Sequence, residues 1–461
     1  MSDDHYSSVT GSTYSVTFVG TSLRFYSAVA SHHGIGAVSI DGGSESDVDF
    51  YSATRLEQAL VYSTPTLSNG THTVKMRVTG RKNPASTDFV VTADRADIVG
   101  TFVAPTPTPT PVPTPAPTAT PTPAPTATPA PLPVGAPSPI HVSGNRLVNA
   151  AGQTVTLHGV NRPGTDYACI QGWGFIDGPS DAASVLAMKS WKGVNAVRVL
   201  MNEDCWLAIN GSPAAYSGAS YQQFIKNYVS LLNQNGLYVI LEIQWSAPGG
   251  QLATGQQPML DMDHAPAFWT QVATAFKGNN AVIFEPHNEP YPDNNQNTTA
   301  AWTCWRDGGT CSGVGFQAAG AQTMVNTIRA TGATNVIGLT GVQYGNRISN
   351  WLNYKPNDPL NNLAADWHVY NFNYCMTVAC YDAEIAPIAA VVPIIATEIG
   401  CDPYDGPFMT NLMNWLDAHG ASYMAWAWDN WGAANSLLSS YDGTPQSPYG
   451  VLVKNHYAAL P

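Results

Sequence analysis

The sequence predicts an α/β protein built on a (β/α)₈ barrel, preceded by an all-β sandwich module and a Pro/Thr-rich linker. Three observations point there. Residues 138–461 alternate apolar β-like runs with helical ones. Residues 104–136 are almost only Pro, Thr and Ala. Residues 1–103 carry short β-branched runs separated by turn residues. The 461 residues exceed one ordinary domain. With 44% hydrophobic residues the chain buries a large core, which excludes global disorder.

The barrel reading rests on eight strand candidates. They are 154–161, 194–200, 237–245 and 281–289, then 335–342, 365–370, 393–400 and 421–428. Helical runs such as YQQFIKNYVSLLNQNG and FQAAGAQTMVNTIRATG lie between them. Several end in Gly after a polar or basic last turn, as helix C-termini do. Eight such units in roughly 300 residues suit a barrel. An open doubly wound sheet is the alternative, but no G-x-G-x-x-G follows the first strand. The P-loop, G-x-S-x-G and H-E-x-x-H motifs are also missing.

The linker, 104–136, reads PTPTPTPVPTPAPTATPTPAPTATPAP in its centre. Proline at this density forbids helix and sheet and favours polyproline II. At ~3.1 Å per residue it reaches on the order of 100 Å. It is a passive tether or a spacer that lets two modules work on one extended substrate. In the N-terminal module, 1–103, strand-like YSVTFVG, AVSIDG, VDFYSA, ALVYST, HTVKMRV and DFVVTAD flank turns such as Asp41-Gly42-Gly43 and Ser68-Asn69-Gly70.

Charge and cysteines narrow the partners. The net charge is -13, from 19 Lys plus Arg against 32 Asp plus Glu. An acidic surface disfavours nucleic acid and anionic membranes, which need basic patches. No apolar stretch reaches the ~18 residues of a membrane span. The start, Met-Ser-Asp-Asp, shows no signal peptide. All seven Cys lie at position 169 or later. Cys304/Cys311 and Cys375/Cys380 are close enough to close small loops, and Cys169 and Cys205 follow successive strands, which leaves Cys401. Spacing does not fix the pairing. A metal site is the alternative, but no CxxC or paired His supports one. Disulfides imply an oxidising compartment and a secreted protein.

Chemistry in such barrels sits at the C-terminal strand ends. The fourth strand runs into His287-Asn288-Glu289-Pro290 and the seventh into Thr397-Glu398-Ile399-Gly400. Two carboxylates across one mouth suit glycoside hydrolysis: one protonates the leaving oxygen and one attacks the anomeric carbon. Around them stand Arg198, Gln244, Trp245, His368, Tyr370 and Trp428. Glu242 and Glu285 lie deeper and read as acceptors rather than catalysts. Trp173, Trp206, Trp245, Trp428 and Trp431 fall near loops after strands, where aromatic faces stack on pyranose rings. Trp191, Trp269, Trp351 and Trp415 fall in helices and read as packing residues. Glu203 and Asp204 bond sugar hydroxyls or cap their loop.

The ordered set Arg198, Asn288-Glu289-Pro290, His368-x-Tyr370, Glu398 and Trp428 resembles glycoside hydrolase family 5, a family of retaining β-glycanases, over residues 140–461. The resemblance implies Glu289 as general acid/base and Glu398 as nucleophile. It implies that Asn288 bonds the sugar 2-OH, that Arg198 and Tyr370 bond Glu398, that His368 lines the site, and that Trp428 stacks on the sugar. A cation beside Glu398 is expected to lower its pKa and burial to raise that of Glu289. Gln244 stands where the family usually has His; it hydrogen-bonds but does not titrate. His287 is a possible substitute imidazole, or else it packs between strand and helix. The resemblance implies no cofactor and no metal.

The segment SHHGIGAVSIDG…SNGTHTVKMRVTG resembles galactose-binding-like sandwich modules appended to secreted bacterial glycosidases. That implies sugar binding. Yet all 13 Trp lie at 173 or later, leaving Phe25, Tyr26, Tyr51 and Tyr62 as platforms, so a purely structural module is the alternative. The combined expectation is a secreted, monomeric endo-β-1,4-glucanase acting on a β-linked polysaccharide or oligosaccharide. A mannanase, xyloglucanase or xylanase of the same fold, an exo-acting enzyme, a transglycosylase and a non-catalytic glycan-binding barrel are the alternatives.

Overall fold

A computed structural model describes residues 5–8, 10–93, 95–102 and 135–460. They fall into two compact units, Met1–Pro123 and Ala124–Pro461. The expected linker lies, except for its last two residues, outside the described residues.

The N-terminal unit is organised by one long strand, Thr13–Val29. Its first half pairs with Gly70–Arg81, and its second half pairs with Leu56–Ser63 on one edge and Arg95–Phe102 on the other. The register shifts between Gly20 and Ser22. A straight strand would put Tyr14 and Phe25 ~36 Å apart, yet their rings meet at 5.3 Å. The strand therefore folds over, and its halves enclose Phe18, Leu23, Phe25, Phe50, Val74 and Met76. This is the expected sandwich architecture. The sequence reading caught the first half as YSVTFVG and missed both the second half and Arg95–Phe102. Of the expected platforms, Phe25 is buried in the core and Tyr26 lies under the Arg95 guanidinium.

The C-terminal unit is a closed barrel of eight parallel strands in sequential order. They are β1 (His158–Arg162), β2 (Ala196–Asn202), β3 (Tyr238–Trp245), β4 (Val282–Glu285), β5 (Ile337–Thr340), β6 (Leu363–Tyr370), β7 (Ile394–Gly400) and β8 (Ser422–Ala425). The main outer helices are α1 (Ala182–Lys189), α2 (Ala219–Gln234), α3 (Ala265–Phe276), α4 (Ala321–Ala330), α5 (Gly406–His419) and α6 (Tyr449–Ala459). After β5 a single turn, Trp351–Tyr354, takes the helix position; after β6 it is a broken run from Val378 to Ala389.

Strand alternation explains how one barrel is apolar below and charged above. Side chains two apart share a face. Ala196, Ile240, Ile283, Ala364 and Ile395 fill the floor with Ile140, Leu147 and Met424. Ile140 and Leu147 come from a short antiparallel sheet, Ile140–Ser143 with Arg146–Asn149 and Thr154–Val155. Two residues further along the strands stand Arg198, Glu242, Glu285 and Asp366. On β7 the pairing runs Asp366 to Ile395 and then His368 to Glu398, so one extra residue sits on β7. That bulge lets Ile395 face the floor and Glu398 face the mouth.

Three local expectations differ. The run 154–161 divides into the floor strand Thr154–Val155 and β1. The fourth strand ends at Glu285, which leaves Asn288 and Glu289 on a loop. The start of FQAAGAQTMVNTIRATG is extended: Gln317–Ala319 pairs with Gly308–Thr310 and Leu260–Asp261, and α4 begins only after Gly320. The cysteines pair as Cys169–Cys205, Cys304–Cys311 and Cys375–Cys380, with Cys401 a buried thiol that burial raises to about 11. No helix among the described residues is long and apolar enough to cross a membrane.

Gly159 on β1 has no room for a side chain. A Cβ there would lie 2.2 Å from the Ala196 carbonyl oxygen and 2.5 Å from Met424 Sδ. Gly159→Ala is expected to destabilise the barrel by about 1–3 kcal/mol through overpacking. Denaturant unfolding followed by Trp fluorescence reads this unit alone, since every Trp lies in it.

Candidate active site

Arg198 is the buried centre of the barrel mouth, and its five N–H groups all have acceptors. Nε and one Nη2 hydrogen reach the Glu285 carboxylate at 2.8 and 2.5 Å. The other Nη2 hydrogen donates to Asn288 Oδ1 at 2.7 Å. Nη1 donates to Asn161 Oδ1 at 3.0 Å and to Glu398 Oε1 at 2.7 Å. Burial alone would lower this guanidinium, but Glu285, Glu242 and Glu398 hold it far above its ordinary range. Glu242 is the exception to the expected acceptor role. Both its oxygens are buried without a donor, and its nearest approach to Arg198 is 3.9 Å. Burial pushes its carboxyl well up, against the pull of Arg198. Glu285 is the satisfied acceptor, raised to about 8 by burial against the pull of Arg198.

Glu398 is anchored at both oxygens. Arg198 takes Oε1, and the Tyr370 hydroxyl donates to Oε2 at 2.8 Å. Gly400, paired with Tyr370, makes this possible, because a Cβ at Gly400 would stand 2.6 Å from the Tyr370 ring. Glu289 approaches from the loop after β4. An oxygen of each Glu lies within 4.8 Å of the other, with His368 between them. Burial raises the Glu289 carboxyl above its ordinary range, and the facing Glu398 adds to this against donors from His368 and Gln256.

His368 bridges the two acids. Its Nδ1 is 3.0 Å from Glu289 Oε1 and 3.7 Å from Glu398 Oε2. Its Nε2 meets Thr397 Oγ1 at 2.8 Å, and that hydroxyl donates to Asp366 Oδ1 at 2.6 Å. With Thr397 Oγ1 donating onward, Nε2 is the donor to it, and Nδ1 faces the two carboxyls. Burial alone would lower this imidazole, but Glu398 and Glu289 outweigh it and raise it to about 9. Glu289, His368 and Glu398 could converge on a metal ion geometrically, but these atoms already serve one another, Arg198 and Tyr370.

Above the acids lies an open cleft of about 720 Å³, lined by Gln244, Trp245, Gln256, Glu289, Tyr344, Tyr370, Phe372, Glu398 and Trp426 among others. Gln244 and Trp245 therefore stand where the sequence placed them, with Gln244 Oε1 buried and without a donor. Trp428 does not. It is buried against Trp191, ring to ring at 5.0 Å, and its backbone N–H donates to the Asn161 carbonyl. Trp426, two residues earlier, lines the cleft instead. β8 ends at Ala425, so its alternation no longer sorts the following Trp residues.

Trp206 is likewise buried, between Tyr221 and Phe268. Trp173 and Trp431 are half exposed, and Tyr167 touches both as well as Trp245. The helical Trp191, Trp269, Trp351 and Trp415 are packing residues as expected. His287 points between strand and helix, beside Met259, Trp305 and Met324, and burial lowers it to about 4. It does not replace the missing imidazole. Glu203 and Asp204 are buried and accept backbone N–H groups of Ala247 and Ala253, so they cap loops. Asn161, Thr397 and Gln256 were missed; they carry no charge, and only their contacts single them out.

A His368 signal titrating near pH 9 is expected from imidazole ¹⁵N NMR, because two facing carboxyls hold its proton. Its folded pKa exceeds the unfolded value of ~6.5. Its contribution to stability is therefore full below that value and fades as pH rises through about 9. Glu289→Gln removes one of the two anions and is expected to move the titration down.

The family model described as cellulase (glycosyl hydrolase family 5) matches residues 148–432. No curated protein matches the sequence. Among solved structures, a β-glucanase from Saccharophagus degradans is 19% identical with a TM-score of 0.54, covering 70% of this chain and 94% of its own. The catalytic domain of a mannanase from Streptomyces sp. SirexAA-E is 22% identical with a TM-score of 0.51, covering 69% and 90%. A β-mannanase from Thermomonospora fusca is 22% identical with a TM-score of 0.50, covering 70% and 95%. These likenesses concern the fold; the family match, which spans more than half of the chain, makes it a member of glycosyl hydrolase family 5.

Proposed function

We propose that the chain is a secreted, monomeric, retaining endo-β-1,4-glycanase, with β-1,4-glucan as its first substrate. The observation that carries this reading is the approach of Glu289 and Glu398 to within 4.8 Å, oxygen to oxygen. Retaining enzymes hold their carboxyls at ~5–5.5 Å, whereas inverting ones leave room for a water at ~6.5–9.5 Å.

In this mechanism a Glu398 oxygen attacks the anomeric carbon. The glycosidic C–O bond breaks as Glu289 gives its proton to the leaving oxygen. Glu289, now ionised, takes a proton from water, which attacks the same carbon and releases Glu398. Arg198 and Tyr370 aim the attacking carboxylate. His368 holds Glu289 Oε1, and Asn288 faces the sugar 2-OH. Gln244 offers an amide to a sugar hydroxyl in place of the family His.

Aromatic faces support a long chain as substrate. Trp245 and Trp426 line the cleft beside the acids, and Tyr167 links Trp245 to the half-exposed Trp173 and Trp431. Phe372, 65% exposed, stacks on Tyr370, and Tyr344 stacks on Tyr291. An open cleft with platforms on several sides suits internal cutting. A β-mannanase is the second reading, favoured by fold neighbours from both substrate classes. The three disulfides suit an oxidising compartment. The partition into a module at 1–103, a spacer at 104–136 and a catalytic domain at 137–461 belongs to this proposal, with the N-terminal module as a glycan-binding or spacing element.

Release of reducing ends from soluble cellulose derivatives, glucomannan, xylan and xyloglucan tests the reading. The expected result is highest activity on β-1,4-glucan, with an early fall in viscosity. Glu398→Ala is expected to lose about 10⁴-fold or more and Glu289→Gln about 10²–10⁴-fold. Equal activity in wild type and Glu398→Ala contradicts the mechanism; highest activity on mannan moves the substrate to the second reading.

A further inference from the structure

We infer that Gln256 is a positioning residue for Glu289, placed there by buried carboxylates that the chemistry itself does not use. This rests on the reading of Glu289 as the acid/base.

The chain of hydrogen bonds leaves one arrangement. A guanidinium only donates, so the Asn288 oxygen faces Arg198. The Asn288 Nδ2 then faces outward and donates to Gln256 Oε1 at 2.8 Å. The remaining end of the Gln256 amide, Nε2, is left to donate to Glu289 Oε2 at 3.1 Å. The nucleophile, Arg198, Asn288, Gln256 and the acid/base thus form one directed relay, and the two amides cannot flip without breaking it. Glu289 receives one donor on each oxygen: the His368 imidazolium on Oε1 and the neutral Gln256 amide on Oε2. A charged donor binds more strongly than a neutral one. When Glu289 is protonated, the proton takes the more weakly held oxygen, Oε2, beside Gln256 and the cleft.

The loop carrying Gln256, residues 246–264, is pinned along its length. Backbone N–H groups of Ala247, Gly249, Ala253 and His264 donate to Glu203, Asp263, Asp204 and Asp261 at 3.1, 2.7, 2.9 and 2.7 Å. Three of these acids, Glu203, Asp204 and Asp261, are fully buried. Beyond Gln256 the loop is held by Tyr291 N–H on the Pro258 carbonyl at 3.0 Å. Burying three carboxyl groups under a loop is costly, and here they fix the backbone on both sides of one amide.

The test compares two substrates in Gln256→Ala and Gln256→Met. A cellooligosaccharide needs a proton on its leaving oxygen, whereas a 2,4-dinitrophenyl β-cellobioside does not. The expected result is a fall in kcat of about tenfold on the oligosaccharide and a change within about twofold on the aryl glycoside. The basic limb of kcat/KM is expected to move up by about half a unit to one unit, because the ionised carboxylate loses a donor. Equal losses on both substrates, or an unmoved basic limb, overturn the inference. Glu398→Ala on the aryl glycoside separates the two claims: retained activity there defeats the reading of the site itself, whatever Gln256 does.

Discussion

Everything at the barrel mouth depends on one buried cation. Arg198 sits without solvent among Glu242, Glu285 and Glu398, and its five donors all end on side chains. Removing one partner of such a buried pair costs about 3–5 kcal/mol, because a charge is left uncompensated. The arrangement therefore has little freedom. Glu285 takes two of the five donors along one edge of the guanidinium, and the other three go to Asn288, Asn161 and Glu398. The proposed nucleophile on β7 and the residue preceding the proposed acid, on the loop after β4, are thus set by the same planar group.

The barrel makes this possible by stacking. The floor is apolar, and the next inward layer holds the charges. Water is displaced by Ile240, Ile283, Ile395 and their neighbours below, which strengthens every interaction above. The cost is visible in Glu242, a buried carboxyl without a donor. Burial pushes that carboxyl well up, against the pull of Arg198. His368 supplies a second cation where the two acids meet, and the Thr397 and Asp366 chain behind it holds the ring's orientation.

Much of this was legible in the sequence because polar and charged residues stand out at the ends of apolar runs, where barrel chemistry sits. Arg198 lies within the buried, largely apolar β2, His368 and Tyr370 lie towards the end of β6, and Glu285 ends β4. The charged residues were recognisable by type. What failed has local causes. Trp428 and Trp426 share a parity, and β8 ends before either, so pattern does not decide which one lines the cleft. The bulge on β7 is invisible to alternation, although Glu398 itself was found. The long bent strand of the N-terminal unit was cut in half because a glycine bend looks like a turn. Asn161, Thr397 and Gln256 were missed because neutral polar residues acquire a role only through the groups they touch. Spacing left the cysteine pairing open; the fold brings Cys169 to Cys205, Cys304 to Cys311 and Cys375 to Cys380, with Cys401 buried and unpaired.

The most direct measurement is covalent trapping. A 2-deoxy-2-fluoro-β-cellobioside with a good leaving group slows the release of a glycosyl-enzyme intermediate, and peptide mass spectrometry locates the sugar. The account predicts a single modified peptide with the adduct on Glu398. An adduct on another residue, or turnover with inverted anomeric configuration and no adduct at all, would contradict it.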